Sequence, residues 1–160
     1  MTIRMTESVT NAEYKRFDPS HTFPEGHDNK PVTRVTYGEA MAYAAWLSRE
    51  TGKRFRLPTE QEREAAESTF EADYSNHPLP ECPDVGTFGK NADGVTGLKG
   101  TVYDWCLHVG DMNRARAAWE PQAKGLPPST PQPFGATRPS SEDIARAIRV
   151  LVVLDALDKL

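Results

Sequence analysis

The chain has 160 residues, long enough for one domain with a real hydrophobic core. Its net charge is −4 and no lysine–arginine cluster stands out, which argues against nucleic acid as a partner. No stretch approaches the about 20 apolar residues that cross a membrane, so membrane insertion is not expected.

The amino terminus, MTIRMTESVTNAEY, lacks the apolar core of a secretion signal, so a cytoplasmic origin is expected. Ser8 to Phe17 reads as a short helix opened by Thr10 and Glu13. In such a capping box the Thr side chain accepts from the backbone three residues on, and the Glu reaches back. Asp18 to Lys30 is a polar loop holding His21 and His27, histidines of the kind usually solvated, with a metal pair as the sharper alternative.

Pro31 to Glu67 packs the strongest local signals. Thr36 with Glu39 caps a helix at about 37–51, whose apolar face carries Met41, Ala44, Ala45, Trp46 and Leu47. Gly52 ends it, since a helix C-terminus favours a left-handed residue. Phe55 to Leu57 is a brief extended run stopped by Pro58, and Thr59 with Glu62 opens a second helix at about 60–68.

Ser68 to Asp84 is irregular, with Pro78, Pro80 and Pro83 close together. Glu120 to Pro139 holds six of the thirteen prolines and reads as a long surface loop. The aliphatic run Ile144 to Leu154 predicts a helical turn followed by a buried strand. Two cysteines, Cys82 and Cys106, define no disulfide framework and no zinc spacing; a single bridge between them stays open beside two thiols.

The order of residues in TYGEAMAYAAWLSRETGKRFRLPTEQERE resembles the signature of the formylglycine-generating enzyme-like (sulfatase-modifying factor) family. That family reads S-W-x-x-A-x-x-Y-x-x-W-L and then G-x-x-Y/F-R-L-P-T-E-x-E-W-E. Ala40, Tyr43, Trp46, Leu47, Gly52, Phe55 to Glu60, Glu62 and Glu64 sit at matching positions, while Arg63 stands for the Trp. A second block, Val85 to Cys106, is similar to V-G-x-F-x-x-N-x-x-G-L-Y-D-M-x-G-N-V-W-E-W-C, with Thr101 for the Asn, Tyr103 for the first Trp and Asp104 for the Glu. Thr10 to Phe17, Asn113 to Trp119 and Ala147 to Val150 are weaker echoes of three further family segments. The resemblance implies one α+β domain over 1–160, with a C-type-lectin-like fold, two main helices, short twisted strands and a Pro-rich variable loop at about 120–139. It further implies that Trp46, Leu47, Leu57, Phe88, Val102 and Trp105 are core, and that Cys106 points inward from a central strand.

The resemblance also frames the chemistry. Oxidase members hold copper(I) on two cysteines between the R-G-G-S-W-like segment and the closing G-F-R-V-like strand, because soft thiolates suit that ion. From Trp119 to Leu160 this chain has no cysteine, so copper and formylglycine generation are not expected. Calcium is the cofactor left open: carry-over gives the carbonyls of Gly100 and Val102 and the carboxylate of Asp104 as a weak site, with Gly97 at the fourth ligand position.

The function this favours is a non-catalytic module that binds a protein or glycan ligand through variable loops, on a virion if the chain is phage-encoded. The segments departing from the family, 70–84 and 107–139, supply Tyr74, His77, His108, Trp119 and Phe134 as aromatic anchors, although Trp119 matches a buried family residue. The alternatives are an oxidoreductase or other enzyme of the superfamily acting through relocated groups, and a structural or assembly subunit.

Overall fold

The computed structural model describes residues 2–75, 82–99, 101–117, 119 and 146–154. In chain order these form β1 (Thr2–Ser8), α1 (Asn11–Phe17), α2 (Tyr37–Thr51), β2 (Arg54–Arg56), α3 (Glu60–Glu67), β3 (Tyr103–Asp104), a 3-10 turn (Val109–Asp111), α4 (Met112–Ala117), β4 (Arg146–Ala147) and β5 (Arg149–Leu154). This is the mixed helix and strand arrangement expected from the sequence.

All three Thr-x-x-Glu boxes form. Thr10, Thr36 and Thr59 each accept from the backbone of the Glu three residues on, and each Glu side chain returns to the cap. Gly52 takes the left-handed conformation at φ 71°, and its N–H reaches the Ser48 carbonyl. The buried side of α2 carries Ala40, Met41, Tyr43, Ala44 and Trp46, which pack with Tyr14 and Phe17 of α1.

β5 is the central strand of a three-stranded antiparallel sheet in the order β1-β5-β2. Its run Val150 to Val153 is buried throughout, as a continuous apolar strand covered on both faces must be. Arg54, Phe55 and Arg56 lie opposite Val153, Val152 and Leu151. On the other edge Thr2 to Met5 pair with Leu154 to Leu151, and the register then shifts before Ser8 meets Arg149. β3 and β4 form a separate parallel pair.

Of the six expected core residues, Trp46 and Leu57 are buried. Leu47, Phe88 and Trp105 are half-buried and packed against the two apolar clusters, and Val102 is half-buried. None of the six is exposed, but only Trp46 and Leu57 reach the burial expected of core residues. One expectation needs correction. Cys106 does not point from a central strand into the core: it follows the two-residue β3, is half-buried, and its thiol lies against the Asp104 carbonyl. Met112–Ala117 is helical, with Met112 and Ala115 docked against α2's cluster. The helical turn expected near Ile144 lies outside the described residues, whereas the strand after it is present.

Glycine is required at Gly89. Its φ is 62°, and an added Cβ would stand 2.6 Å from the Glu71 carbonyl oxygen, beside the isolated antiparallel bridge of Glu71 with Lys90.

Arg56 and Glu62 form a two-pronged ion pair across the start of α3, with N–O distances of 2.7 and 2.9 Å. That guanidinium, with the Thr59 backbone N–H, holds the Glu62 carboxyl below its usual range against the opposing effect of burial. A carboxyl so depressed stabilises the fold above its unfolded value, about 4.3 for Glu, and loses that contribution as pH falls through the folded value. Glu62→Gln should therefore lower the melting temperature at about pH 7 and much less at about pH 3. A melting difference that does not narrow on acidification would sink this account.

Candidate functional site

Tyr74 is exposed at 43% and stands edge-on to Phe88, with ring centroids 5.9 Å apart. The ring of His108, also exposed, has its centroid 4.5 Å from that of Tyr37, and the His108 backbone N–H donates to the Tyr37 hydroxyl. That hydroxyl donates in turn to Asp111, and burial raises its pKa to about 12. Trp119 is half-buried, its indole N–H donating to the Phe55 carbonyl at 3.0 Å, so it ties the chain to β2. Tyr74 and His108 thus belong to different aromatic groups, while His77 and Phe134 lie outside the described residues. Two further side chains nearby are open to solvent: Tyr103 is 72% and Val109 is 78% exposed, while Asp104 and Leu107 between them are buried.

The residues proposed for calcium have a different environment. Gly100 lies outside the described residues, and Val102 lines a cleft described below. The Asp104 carboxylate is almost wholly buried. Its Oδ2 accepts from Arg63 Nε at 2.8 Å and from Arg149 Nε at 3.0 Å, while Oδ1 is buried without a hydrogen-bond partner. Two guanidiniums on one carboxylate oppose a divalent cation there by like-charge repulsion. The Gly97 position is likewise close to a guanidinium: its carbonyl accepts from Arg149 Nη2 at 3.4 Å. Among the described residues, no group of three or more His, Cys, Asp or Glu side chains is placed to hold a metal ion.

Arg149 is the hub of this cluster. Besides Asp104 it donates to the carbonyls of Thr6, Thr96 and Gly97 and to the Ser8 hydroxyl, and so joins β5, β1, the 96–97 turn and β3. Arg63, in the position of the family's Trp, uses its remaining donors on Glu67 and the Leu98 carbonyl. Arg63 and Asp104 make sense together, because an Arg at this buried position requires a carboxylate partner.

Arg63 and Asp104 lie in the part of the chain that a family model recognises, and Arg149 lies beyond it. The model of the Sulfatase-modifying factor enzyme 1-like domain matches residues 4–126. The chain belongs to that family. The solved structure of PvdO from Pseudomonas aeruginosa is similar to this chain with a TM-score of 0.60 and 25% sequence identity, over 92% of this chain and 78% of that chain. No curated protein matches this sequence. For this sulfatase-modifying-factor-like chain the α+β fold is therefore that of its family.

The two thiols sit in different settings and are not joined to each other. Cys106 neighbours Asp104, whereas Cys82 borders a cleft of about 450 Å³ beside the 18–34 loop. Burial pushes the Cys82 thiol up in pKa, which keeps it protonated and weakly nucleophilic at neutral pH.

That cleft is the feature sequence reasoning missed. His21, Phe23, His27, Lys30 and Arg34 from one loop line it, with Asn11 of α1 and Val102 opposite. His21 Nε2 lies 3.0 Å from the Asn11 amide oxygen and its ring packs on Tyr14, and burial lowers its pKa. Arg34 has φ 61°, and among the described residues no other non-glycine has positive φ. The cause is visible on either side. Val32 and Val35 are both buried, Val32 N–H donates to the Val9 carbonyl, and the Trp105 indole donates to the Val35 carbonyl. A left-handed step between two pinned valines turns both inward and leaves Arg34 outward on the cleft.

Proposed function

We propose that this member of the family is a non-catalytic binding module that displays its divergent loops to a protein or glycan ligand. The observation that carries the reading is the placement of sulfur. In oxidase members the copper-binding cysteines follow the R-G-G-S-W-like segment, and this chain has none from Leu107 to its last residue. Its two thiols are instead a protonated one on the loop cleft and one beside an ion-paired aspartate. Exposed Tyr74, His108, Tyr103 and Val109 support the display of a contact surface in and beside the segments that depart from the family pattern.

A sulfatase-type cysteine peptide incubated with the purified protein and copper(I) is expected to show no conversion to formylglycine. Turnover that disappears in Cys82→Ser or Cys106→Ser would overturn the proposal and restore the oxidase reading. A ligand captured through this face should lose affinity on Tyr103→Ala.

A further inference from the structure

The cleft beside the 18–34 loop carries an inference that does not depend on what the loop face binds. We infer that it is a site for a small organic anion, with the charged head at Arg34 and Lys30 and an apolar body against Phe23 and Val102.

Three observations lead there. Lys30 and Arg34 both line the cleft, and among the described residues no carboxylate does. Asp84, outside the lining, pairs with Lys30 Nζ at 3.2 Å, so Arg34 carries the main contact to an anion. The same ammonium donates to the Cys82 carbonyl at 2.7 Å, which anchors it at the rim. Phe23 and Val102 give the cleft its apolar character, so a bare inorganic ion would leave much of it unfilled.

The site is also held ready. Asn11 N–H donates to the Lys30 carbonyl, Ala12 N–H to the Asp28 carbonyl, and Val85 N–H to the Asn29 carbonyl. The Asn11 side chain adds a bond to the His27 carbonyl at 2.8 Å. A loop fastened along its length loses little freedom when a ligand enters.

Arg34 is the third observation. A left-handed backbone is unfavourable for a residue with a side chain, and glycine would occupy it without strain. Strained residues of this kind cluster at ligand sites, where surrounding structure holds them in place. Arginine's planar fork suits recognition of a carboxylate or phosphate head.

Phenyl phosphate is a suitable probe, titrated by calorimetry and by amide chemical-shift mapping on the intact chain. We expect saturable binding with shifts at His27, Lys30, Thr33 and Arg34. Inorganic phosphate should bind more weakly, and benzyl alcohol, which keeps the ring without the charge, should not saturate. Arg34→Gly should weaken phenyl phosphate about tenfold or more, the loss of one charge-assisted contact, while its melting temperature holds or rises. Arg34→Lys, which keeps the charge, should recover part of the affinity. Absence of saturable binding in the millimolar range would overturn the inference. So would equal affinity for phenyl phosphate in Arg34→Gly, or equal affinity for benzyl alcohol.

Discussion

Replacing Arg149 by leucine is expected to destabilise the protein by about 3–5 kcal/mol, the range for breaking a buried ion pair by removing one partner. The side chain is 1% exposed and satisfies Asp104, three backbone carbonyls and one hydroxyl. Leucine fills part of the volume but leaves the carbonyls of Thr6 and Thr96 without their donor, in a region where water has little access. Each such orphaned acceptor costs about 1–3 kcal/mol. Domains of this size are stable by about 5–15 kcal/mol, so the variant should sit near the edge of folding. Urea denaturation measures the loss directly. Arg149→Lys should recover only a little, because one ammonium cannot reach donors' positions on β1, β3 and the 96–97 turn together. A double cycle with Asp104→Asn should show strong coupling, since the two residues share one bond at 3.0 Å. A loss below about 1 kcal/mol for Arg149→Leu would mean that the cluster is solvated, contrary to its burial.

That cluster shows where sequence reasoning works and where it stops. Ala147 to Val150 was legible as the family's closing strand, and its apolar residues are buried as a central strand requires. Thr10, Thr36 and Thr59 were legible because a capping box is local: four consecutive residues determine its hydrogen bonds. The triad of Arg63, Asp104 and Arg149 was not. Its members are separated by 41 and 45 positions, and only the folded chain reveals that one carboxylate oxygen serves both arginines. Viewed singly, Arg63 was a departure from the family pattern and Asp104 a candidate calcium ligand.

The cleft was hidden for a different reason. Asp18 to Lys30 has the composition of a solvated loop, and nothing local says that Asn11 fastens it to α1. Arg34 gave no warning, because arginine is not a residue that seeks positive φ. Its conformation follows from two valines and their partners Val9 and Trp105, the latter seventy positions away through the Val35 carbonyl. The aromatic anchors divide on the same principle. Trp119 is a packing residue because Phe55 lies beside it, and the exposure of Tyr103 was masked by its standing in for a family Trp.

Phe17→Ala should cost about 3–5 kcal/mol, the cost of emptying a buried aromatic site. Phe17 is 6% exposed and is the ring on which α1 and α2 meet. Its centroid lies 5.5 Å from Tyr14, 5.7 Å from Tyr43 and 5.4 Å from Trp46, with edge or tilted geometries. Such pairs add about 0.5–1.5 kcal/mol beyond area alone, so three of them make the site dearer than its size suggests. Relaxation should not fill the hole, because Tyr14 is held by His21 on its far side and Tyr43 by Trp46. Phe17→Leu keeps most of the volume and loses the ring geometry, so it should cost less than half as much. The two variants together separate volume from aromatic contact, read as midpoint shifts in urea at constant slope. If alanine and leucine cost the same, ring geometry rather than cavity formation dominates and the packing argument fails. The position also bears on the cleft: α1 carries Asn11, which fastens the loop, and Phe17 fixes α1 to α2. Phe17→Leu should therefore leave phenyl phosphate affinity nearly unchanged, whereas Phe17→Ala, by loosening α1, should weaken it together with stability.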